Sequence, residues 1–272
     1  MKTHPHWRES TKPPRLQQTH TRPRAMIPPQ VVTSLGVNSG LAGVLAAIKQ
    51  DVLTSAGLFN AYLLGVCLWS TLGWQGWCSG VLYLVGGSAA TKLKKREKEK
   101  MGIAEKRGGA REPAQVWGSA ATAAFLATLT IPLQGDQAII DLLKLGVVAS
   151  FATKLSDTCA SEIGKGFGRN TYLATTFTSV PPGTEGAVSL EGTLAGIFGS
   201  FVQAAFGAAA GLITVKAIPV CMLAAFLANY VESIIGATAQ DKVPWLNNEM
   251  VNLLNTAIGA AIAMAIMSFT NK

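Results

Sequence analysis

The chain has 272 residues, of which 49% are hydrophobic and only 14% are charged, and its formal net charge at pH 7 is +8. Its mean hydropathy is positive, at +0.32. This composition lies outside the usual range of soluble domains and predicts an integral membrane protein. The alternative at this stage is a soluble all-helical protein with a large apolar core.

The first thirty residues differ from the rest of the chain. They contain six basic residues against a single acid, Glu9, with scattered Ser, Thr and Pro and no apolar run. This predicts a disordered basic leader over residues 1–30, of the kind found in organelle transit peptides, with a cytosolic tail as the alternative. Residues 31–272 are predicted to form one integral-membrane catalytic domain.

Histidine and cysteine placement excludes several mechanisms. All three histidines, His4, His6 and His20, lie in the leader. The membrane domain therefore has no residue for Ser-His-Asp or Cys-His catalysis, or for a histidine-ligated metal. The four cysteines show no CxxC spacing, and we interpret them as structural.

Apolar runs long enough to cross a bilayer, about 20 residues of helix, recur along the rest of the chain. They predict an all-α, polytopic transmembrane bundle with seven or eight spans. The expected spans lie near residues 33–49, 52–72, 74–91, 114–132, 138–156, 191–211, 213–235 and 250–269. Small residues spaced four apart predict close helix contacts at Gly36 and Gly40, Gly192 and Gly196, and Gly207 and Gly211.

The loop at residues 91–112, between the third and fourth predicted spans, carries nine basic residues. Short loops this basic stay on the cytoplasmic side or its organellar equivalent. Because two spans follow, the polar segment 156–190 is predicted to emerge on the same face. We expect Lys92, Lys95 and Arg111 of the loop to receive a substrate phosphate or the nucleotide there. The alternative is a loop that only sets orientation or contacts anionic lipids.

The polar segment begins with SDTCASEIGKGFGRN at the end of the fifth predicted span. If the helix continues past Ser156, then Lys154, Asp157 and Ser161 lie on one face, and Glu162 lies off it. Exposed carboxylates and hydroxyls near a membrane surface are candidates for catalytic and metal-binding roles.

The glycine run GKGFG predicts that this helix breaks. Gly164, Gly166 and Gly168 permit positive φ and a close approach of backbone amides to a ligand. Lys165 and Arg169 flank these glycines and are suited to bind phosphate. The alternative is an ordinary glycine-rich loop between helices.

The downstream sequence PPGTEG adds a rigid proline turn followed by Thr184 and Glu185. Carboxylate oxygens bind Mg²⁺, while amides and cations neutralise phosphate charge. The whole segment therefore indicates a site that holds Mg²⁺ between nucleotide phosphates.

A carboxylate, Glu232, falls near the end of an apolar span, with Asn229 three residues before it and Ser233 next to it. Ionisable residues in such places usually face a bundle interior or a water-filled site. These three residues predict a secondary polar site. The alternative is a carboxylate that reaches the membrane interface from the helix end.

Three stretches, KLSDTCASEIGKGFGRNTYLATTF, VPPGTEGAVSLEGTLAG and VESIIGATAQ, occur in this order among the predicted spans. They resemble the phytyl-phosphate kinase family of plants, algae and cyanobacteria, and the resemblance covers nearly everything from about residue 33 onward. More distantly, the SD pair and the following EG are similar to the CTP-using dolichol and phytol kinases and phosphatidate cytidylyltransferases.

The resemblance implies a multi-pass enzyme of the chloroplast envelope or another plastid membrane. It implies phosphorylation of phytyl phosphate, or another prenyl phosphate, to the diphosphate for tocopherol and prenylquinone synthesis. The implied partners are Mg²⁺, a nucleoside triphosphate expected to be CTP, the prenyl-phosphate lipid and the membrane, with no nucleic acid. Because the acceptor is already a phosphate oxyanion, no strong general base is required.

Residue roles follow from the resemblance together with the motifs above. Asp157 is expected to hold the metal, and Ser119 stands where many relatives have an Asn and is left unassigned. The expected groups are catalytic Asp157, Glu162 and Ser161; nucleotide-binding Lys154, Lys165, Gly166, Arg169, Thr184 and Glu185; substrate-binding Lys92, Lys95 and Arg111; and the secondary site Asn229, Glu232 and Ser233. The alternatives are a lipid cytidylyltransferase, a transporter or channel, and a non-catalytic membrane scaffold.

Overall fold

The computed structural model of the protein describes Met1 and residues 28–48, 50–240 and 242–270. The predicted leader and its histidines lie outside the described residues, apart from Met1 and residues 28–30. The regular secondary structure of the described part is helical, except for one short β-hairpin. Its elements are α1 Pro29–Ala47, α2 Ser55–Lys92, α3 Lys95–Lys100, α4 Pro113–Leu129, α5 Gln137–Phe167, β1 Thr171–Leu173, β2 Ala187–Ser189, α6 Leu190–Ala209, α7 Ile218–Thr238 and α8 Asn248–Thr270.

The long α2 consists of two antiparallel helical segments that join at Gly73. This residue has φ 69° and ψ −163°, a conformation that glycine adopts without steric cost. The rings of Trp69 and Trp77 lie 5.5 Å apart, whereas eight residues of straight helix would separate them by about 12 Å. The chain therefore reverses at Gly73, where the sequence predicted the boundary between the second and third spans.

Five helical stretches of the described residues are long and apolar enough to cross a membrane. They are α1, α2, α6, Val215–Thr238, which contains α7, and α8. Between them, α4 and α5 pack against the spanning helices. With the two segments of α2 counted separately, the described residues form eight long helical segments, where seven or eight spans were expected, but α4 and α5 are not among the stretches long and apolar enough to cross a membrane.

The centre of the bundle is α5, which contacts α2, α4, α6, α7 and α8. Every residue from 145 to 156 is buried, so this part of the helix is enclosed on all sides. Its apolar members include Val147, Val148 and Phe151, each fully buried. Because lipid tails are as apolar as these side chains, helix association depends here on close packing rather than on removal from water.

Small residues on α6 provide that close packing. A Cβ atom on Gly192 would lie 2.5 Å from the Ala160 carbonyl oxygen of α5, and one on Gly196 would lie 3.1 Å from the Ser156 carbonyl oxygen. The helix contact predicted from Gly192 and Gly196 is confirmed.

The other two glycine pairs behave differently. Gly207 packs against Val148, but Gly211 has a φ of 75° just beyond the end of α6 and contacts nothing within 4 Å. The contact predicted at Gly36 and Gly40 is wrong, because neither glycine has a neighbour within 4 Å. Instead, α1 is tied to α2 by polar side chains, as Ser34 donates to the Val66 carbonyl at 3.1 Å.

The helix end predicted within GKGFG is confirmed, because α5 ends at Phe167 with Gly168 as its C-cap, but none of these three glycines has a positive φ. The Gly168 N–H donates to the Gly164 carbonyl at 3.0 Å, and Gly164 and Gly166 keep helical geometry. The glycines allow close contacts instead: Gly164 packs beside Gly192 of α6, and Gly166 beside Lys94. No cradle of free backbone amides forms here.

The segment between α5 and α6 forms a small antiparallel hairpin, in which Thr171 pairs with Ser189. The sequence did not predict it, because strands of three residues leave no periodic pattern. Gly186 has a φ of 73°, and a Cβ atom there would lie 2.4 Å from the Ser233 carbonyl oxygen. The glycine therefore lets the loop that carries Thr184 and Glu185 rest directly on α7.

Candidate functional site

A polar cavity of about 650 Å³ opens at one end of the bundle. Its walls come from α2, α4, α5, α6, α7 and α8 and from two loops, residues 104–112 and 183–189. The basic loop and the polar segment after α5 thus meet at the same end of the molecule, as the charge distribution predicted.

The structure separates the candidate residues into two groups. Gly166, Arg169, Lys92 and Lys95 do not line the cavity. The candidates on its wall are Arg111, Lys154, Asp157, Ser161, Glu162, Lys165, Thr184, Glu185, Asn229, Glu232 and Ser233.

Asp157 and Lys154 form an ion pair one turn apart on α5, on the face that the sequence predicted. The Lys154 ammonium also donates to the Asn252 side chain of α8. The Lys154 side chain is 7% exposed and that of Asp157 is 18% exposed. Lys154 is therefore fixed by two helices, while the aspartate keeps contact with the open cavity.

A second carboxylate, Glu232 of α7, lines the same cavity as Asp157. Asn255 donates to Glu232 and to the Asn229 side chain, the latter at 3.0 Å. Asn229 in turn donates to Ser156 at 2.9 Å. Glu232 thus faces the bundle interior and the cavity. Two neighbouring carboxylates repel each other, and a bound cation would relieve that repulsion.

Arg111 reaches into the bundle from the end of the basic loop, and its side chain is largely buried. The guanidinium donates to the Tyr83 hydroxyl and lies over the Tyr83 ring, 4.6 Å from its centroid. The Tyr83 hydroxyl donates to Ser119 at 2.9 Å. This chain of contacts orients a permanent positive charge toward the cavity.

The backbone around Arg111 explains its fixed position. Its N–H donates to the Val52 carbonyl at 2.9 Å, and its carbonyl accepts from the Thr54 N–H at 3.1 Å. The next residue, Glu112, forms a capping box with Gln115 at the start of α4. The loop end is therefore anchored on both sides of the arginine.

Glu162 lines the cavity, but its negative charge is already compensated by lysine side chains. It pairs with Lys98 of α3, and both side chains are almost completely buried. Lys98 also donates to the Thr91 carbonyl at 2.9 Å, and the Lys165 ammonium lies 3.8 Å from the second Glu162 oxygen. The expected role of Glu162 as a metal-binding partner of Asp157 does not fit this arrangement.

The candidates outside the cavity have other partners. Lys92 lies 2.8 Å from the Asp51 carboxylate and lowers the pKa of that carboxyl. Lys95 lies 3.9 Å from Glu99 along the short helix α3. Arg169 is exposed, beyond the end of α5. The substrate-binding role expected for Lys92 and Lys95 therefore lacks a geometric basis, since α3 turns this part of the loop away from the cavity.

Sequence reasoning did not identify Tyr83, Asn252 and Asn255. The two asparagines left a usable signal, because polar residues three apart inside an apolar span usually face the protein interior. Tyr83 left none, since its partners Arg111 and Ser119 come from another loop and helix.

The donor set suits a hard divalent cation. Among the described residues no three His, Cys, Asp or Glu side chains gather as a metal cage. Mg²⁺ does not require one, because it is usually held by one or two carboxylates together with phosphate oxygens and waters. Asp157 and Glu232 are two of the carboxylates on the cavity wall, and they come from the adjacent helices α5 and α7.

The fold and the cavity define a polytopic helical membrane protein with a charged chamber at one end of its bundle. Residues 38–260 match the family described as integral membrane protein DUF92. The chain belongs to this family.

Three relatives illustrate the range of the similarity. An uncharacterised membrane protein of Synechocystis is 51% identical over 230 residues, 85% of this chain and 88% of the relative. Protein VTE6, chloroplastic, of Arabidopsis thaliana is 49% identical over 219 residues, 80% of this chain and 66% of the relative. An uncharacterised membrane protein of Methanocaldococcus jannaschii is 39% identical over 123 residues, 45% of this chain and 50% of the relative. No solved structure matches the chain.

Proposed function

We propose that the protein is a prenyl-phosphate kinase of a plastid membrane. It transfers a phosphoryl group from a nucleoside triphosphate, CTP in our proposal, to phytyl phosphate or a related prenyl phosphate. The diphosphate would enter tocopherol and prenylquinone synthesis. The plastid location is supported by the chloroplastic relative, which is 49% identical over 80% of this chain.

One observation carries the proposal: cations and carboxylates from three helices, α5, α7 and α8, and from two loops converge on a single cavity at the end of a membrane bundle. Phosphoryl transfer needs positioning and charge neutralisation rather than covalent chemistry from the protein. A chamber with Arg111, Lys154 and Lys165 on its walls provides positive charge for phosphates. The adjoining carboxylates, Asp157 and Glu232, provide the ligands for a divalent cation.

The reaction is a simple displacement at phosphorus. An oxygen of the prenyl monophosphate forms a bond to the γ-phosphorus of CTP, and the bond from that phosphorus to the β,γ-bridging oxygen breaks. The electron pair leaves with CDP, and the products are prenyl diphosphate and CDP. Nothing is oxidised or reduced, and a phosphate acceptor with a second pKa near 6 is already largely ionised at neutral pH.

The residues divide this work by position. Asp157 and Glu232 would hold Mg²⁺, which neutralises charge on the nucleotide phosphates when bound. Lys165, near the mouth formed by the loop 104–112, would bind the nucleotide phosphates together with Thr184. Arg111, held over Tyr83, would bind the phosphate of the lipid.

The test identifies both products. Purified protein in nanodiscs is supplied with phytyl monophosphate, Mg²⁺ and CTP, and with ATP, GTP and UTP in parallel, and the products are separated by chromatography. We expect CDP and phytyl diphosphate in equal amounts. Pyrophosphate with a CDP-lipid would instead identify a lipid cytidylyltransferase. If the folded protein consumed none of the four nucleotides, the kinase proposal would fail.

A further inference from the structure

A second, apolar cavity of about 90 Å³ lies between α1 and the two segments of α2. We call it the apolar groove. Among the residues that line it are Leu41, Leu45, Leu64, Leu68, Val81 and Leu84. Its volume is several times the roughly 10–15 Å³ that one water needs, so it can hold a short length of hydrocarbon chain.

The apolar groove and the polar cavity are adjacent. Tyr83 and Arg111 line both of them, so the two spaces share one wall. At this junction the Arg111 guanidinium lies over the Tyr83 ring, on the polar side of a wall whose other members are aliphatic. A cation that borders an apolar slot fits a ligand with an anionic head and a hydrocarbon tail.

The amide side chain in the groove is already satisfied. Asn38 accepts a hydrogen bond from the Trp77 indole at 3.0 Å and donates to the Ser34 carbonyl at 2.9 Å. Arg111 is therefore the charged side chain that the groove wall offers to an occupant. Leu41 of α1 is 37% exposed on the outer surface of the bundle, so the groove borders the lipid-facing side.

We propose that the apolar groove binds the first isoprene units of the lipid monophosphate, with the phosphate at Arg111 and the rest of the chain passing between α1 and α2 into the bilayer. This inference rests on the proposed function and deepens it. It places the acceptor phosphate on the Arg111 side of the polar cavity, opposite the Asp157 and Glu232 carboxylates. Charge-assisted contacts of an arginine with phosphate fix the head, and the groove fixes the direction of the chain.

Cross-linking tests the position of the tail without depending on catalysis. The probe is phytyl monophosphate with a photoreactive diazirine in its first isoprene unit, and labelled peptides are mapped by mass spectrometry. In the wild-type protein we expect labelling of α1 and α2. Filling the groove by Ala42→Phe should reduce that labelling by roughly tenfold or more.

The chain offers a matched control. Ala46 lies one turn further along α1, is exposed and does not line the groove, so Ala46→Phe should leave labelling unchanged. A second pair of variants tests the groove from α2, so that the result does not depend on correct folding of α1 in Ala42→Phe. Val81→Trp fills the groove from α2, whereas Val85, 62% exposed and outside the groove, serves as its control in Val85→Trp.

Chain-length selectivity provides a second readout. A groove filled by Ala42→Phe should lower kcat/KM for phytyl monophosphate by roughly tenfold. Turnover of methyl phosphate, which carries no isoprene unit to place in the groove, should change little.

The outcomes separate this inference from the proposed function. Labelling confined to other helices, no labelling, or labelling that Ala42→Phe and Val81→Trp leave intact would overturn the groove, even if the wild-type protein makes phytyl diphosphate. Groove labelling that both variants reduce, in a protein that makes no diphosphate, would support lipid-phosphate binding there and reject the kinase.

Discussion

Two lysine–carboxylate pairs have their carboxylates on α5, a little more than one turn apart, and their surroundings differ. Lys98 and Glu162 are 1% and 2% exposed, and Lys165 and a backbone carbonyl complete the contacts of the pair. Lys154 and Asp157 are 7% and 18% exposed and border the cavity that Glu232 also lines. The first pair is shielded from a ligand, whereas the second pair can contact one in the cavity. This difference in exposure indicates a structural role for the first pair and a functional role for the second.

The largest expected effect is on the closed pair. Lys98→Met leaves the Glu162 carboxylate buried without its main partner, which should lower the free energy of unfolding by about 3–5 kcal/mol. Thermal unfolding in detergent measures the loss. Lys100, exposed on the same short helix, provides the control Lys100→Met, which should unfold like the wild type.

A double variant sharpens that result. Lys98→Met combined with Glu162→Gln removes both charges and should recover much of the stability, because no uncompensated buried charge remains. A melting temperature of Lys98→Met equal to that of the wild type would show that the pair is not structural.

The open pair should respond in activity and not in stability. Asp157→Asn removes the carboxylate proposed to hold Mg²⁺ and should lower kcat by about 100-fold or more, while the unfolding temperature stays close to the wild-type value. Asp141→Asn is the control, since Asp141 lies on the same helix with its side chain 62% exposed. Full diphosphate production by a folded Asp157→Asn protein would remove the metal role.

A substitution at the contact of α5 with α6 should affect both lysine–carboxylate pairs together. Gly192→Ala places a Cβ atom 2.5 Å from the Ala160 carbonyl, so the segment of α5 that carries Asp157 and Glu162 must shift. We expect a loss of about 1–3 kcal/mol in the free energy of unfolding, measured by thermal unfolding, together with lower activity. Gly36→Ala, where nothing lies within 4 Å, should not destabilise the protein.

The smallest expected effect concerns Lys165, which lies one turn beyond Glu162 on α5 and 3.7 Å from the Glu105 carboxylate. Lys165→Gln should raise the KM for the nucleotide by roughly tenfold, because one charge-assisted phosphate contact is lost. Lys92→Gln should leave that KM unchanged, since Lys92 pairs with Asp51 away from the cavity. Equal effects of the two substitutions in steady-state kinetics would show that position in the cavity does not matter.

Sequence reasoning was accurate for features that depend on local pattern. Apolar runs located the helices to within a few residues, apart from the polar extension of α5, and even the reversal at Gly73 fell between two predicted spans. Loop charge placed the basic loop and the polar segment at the same end. Sequence reasoning located the helix end at GKGFG but failed for the role of the glycines, because a glycine can either free the backbone or allow another helix to approach, and only the position of α6 decides which occurs.

By itself, the sequence determined an all-helical membrane bundle, its span boundaries and a polar end that carries Asp157. These properties follow from hydropathy, helix period and charge, which act over short stretches of chain. Only the tertiary structure decided that Glu162 is buried against Lys98, while Asp157 faces a cavity that Glu232 also lines. It also decided that Arg111 lines both this cavity and the apolar groove. The partners in those contacts come from distant helices and loops, so no local pattern could assign them.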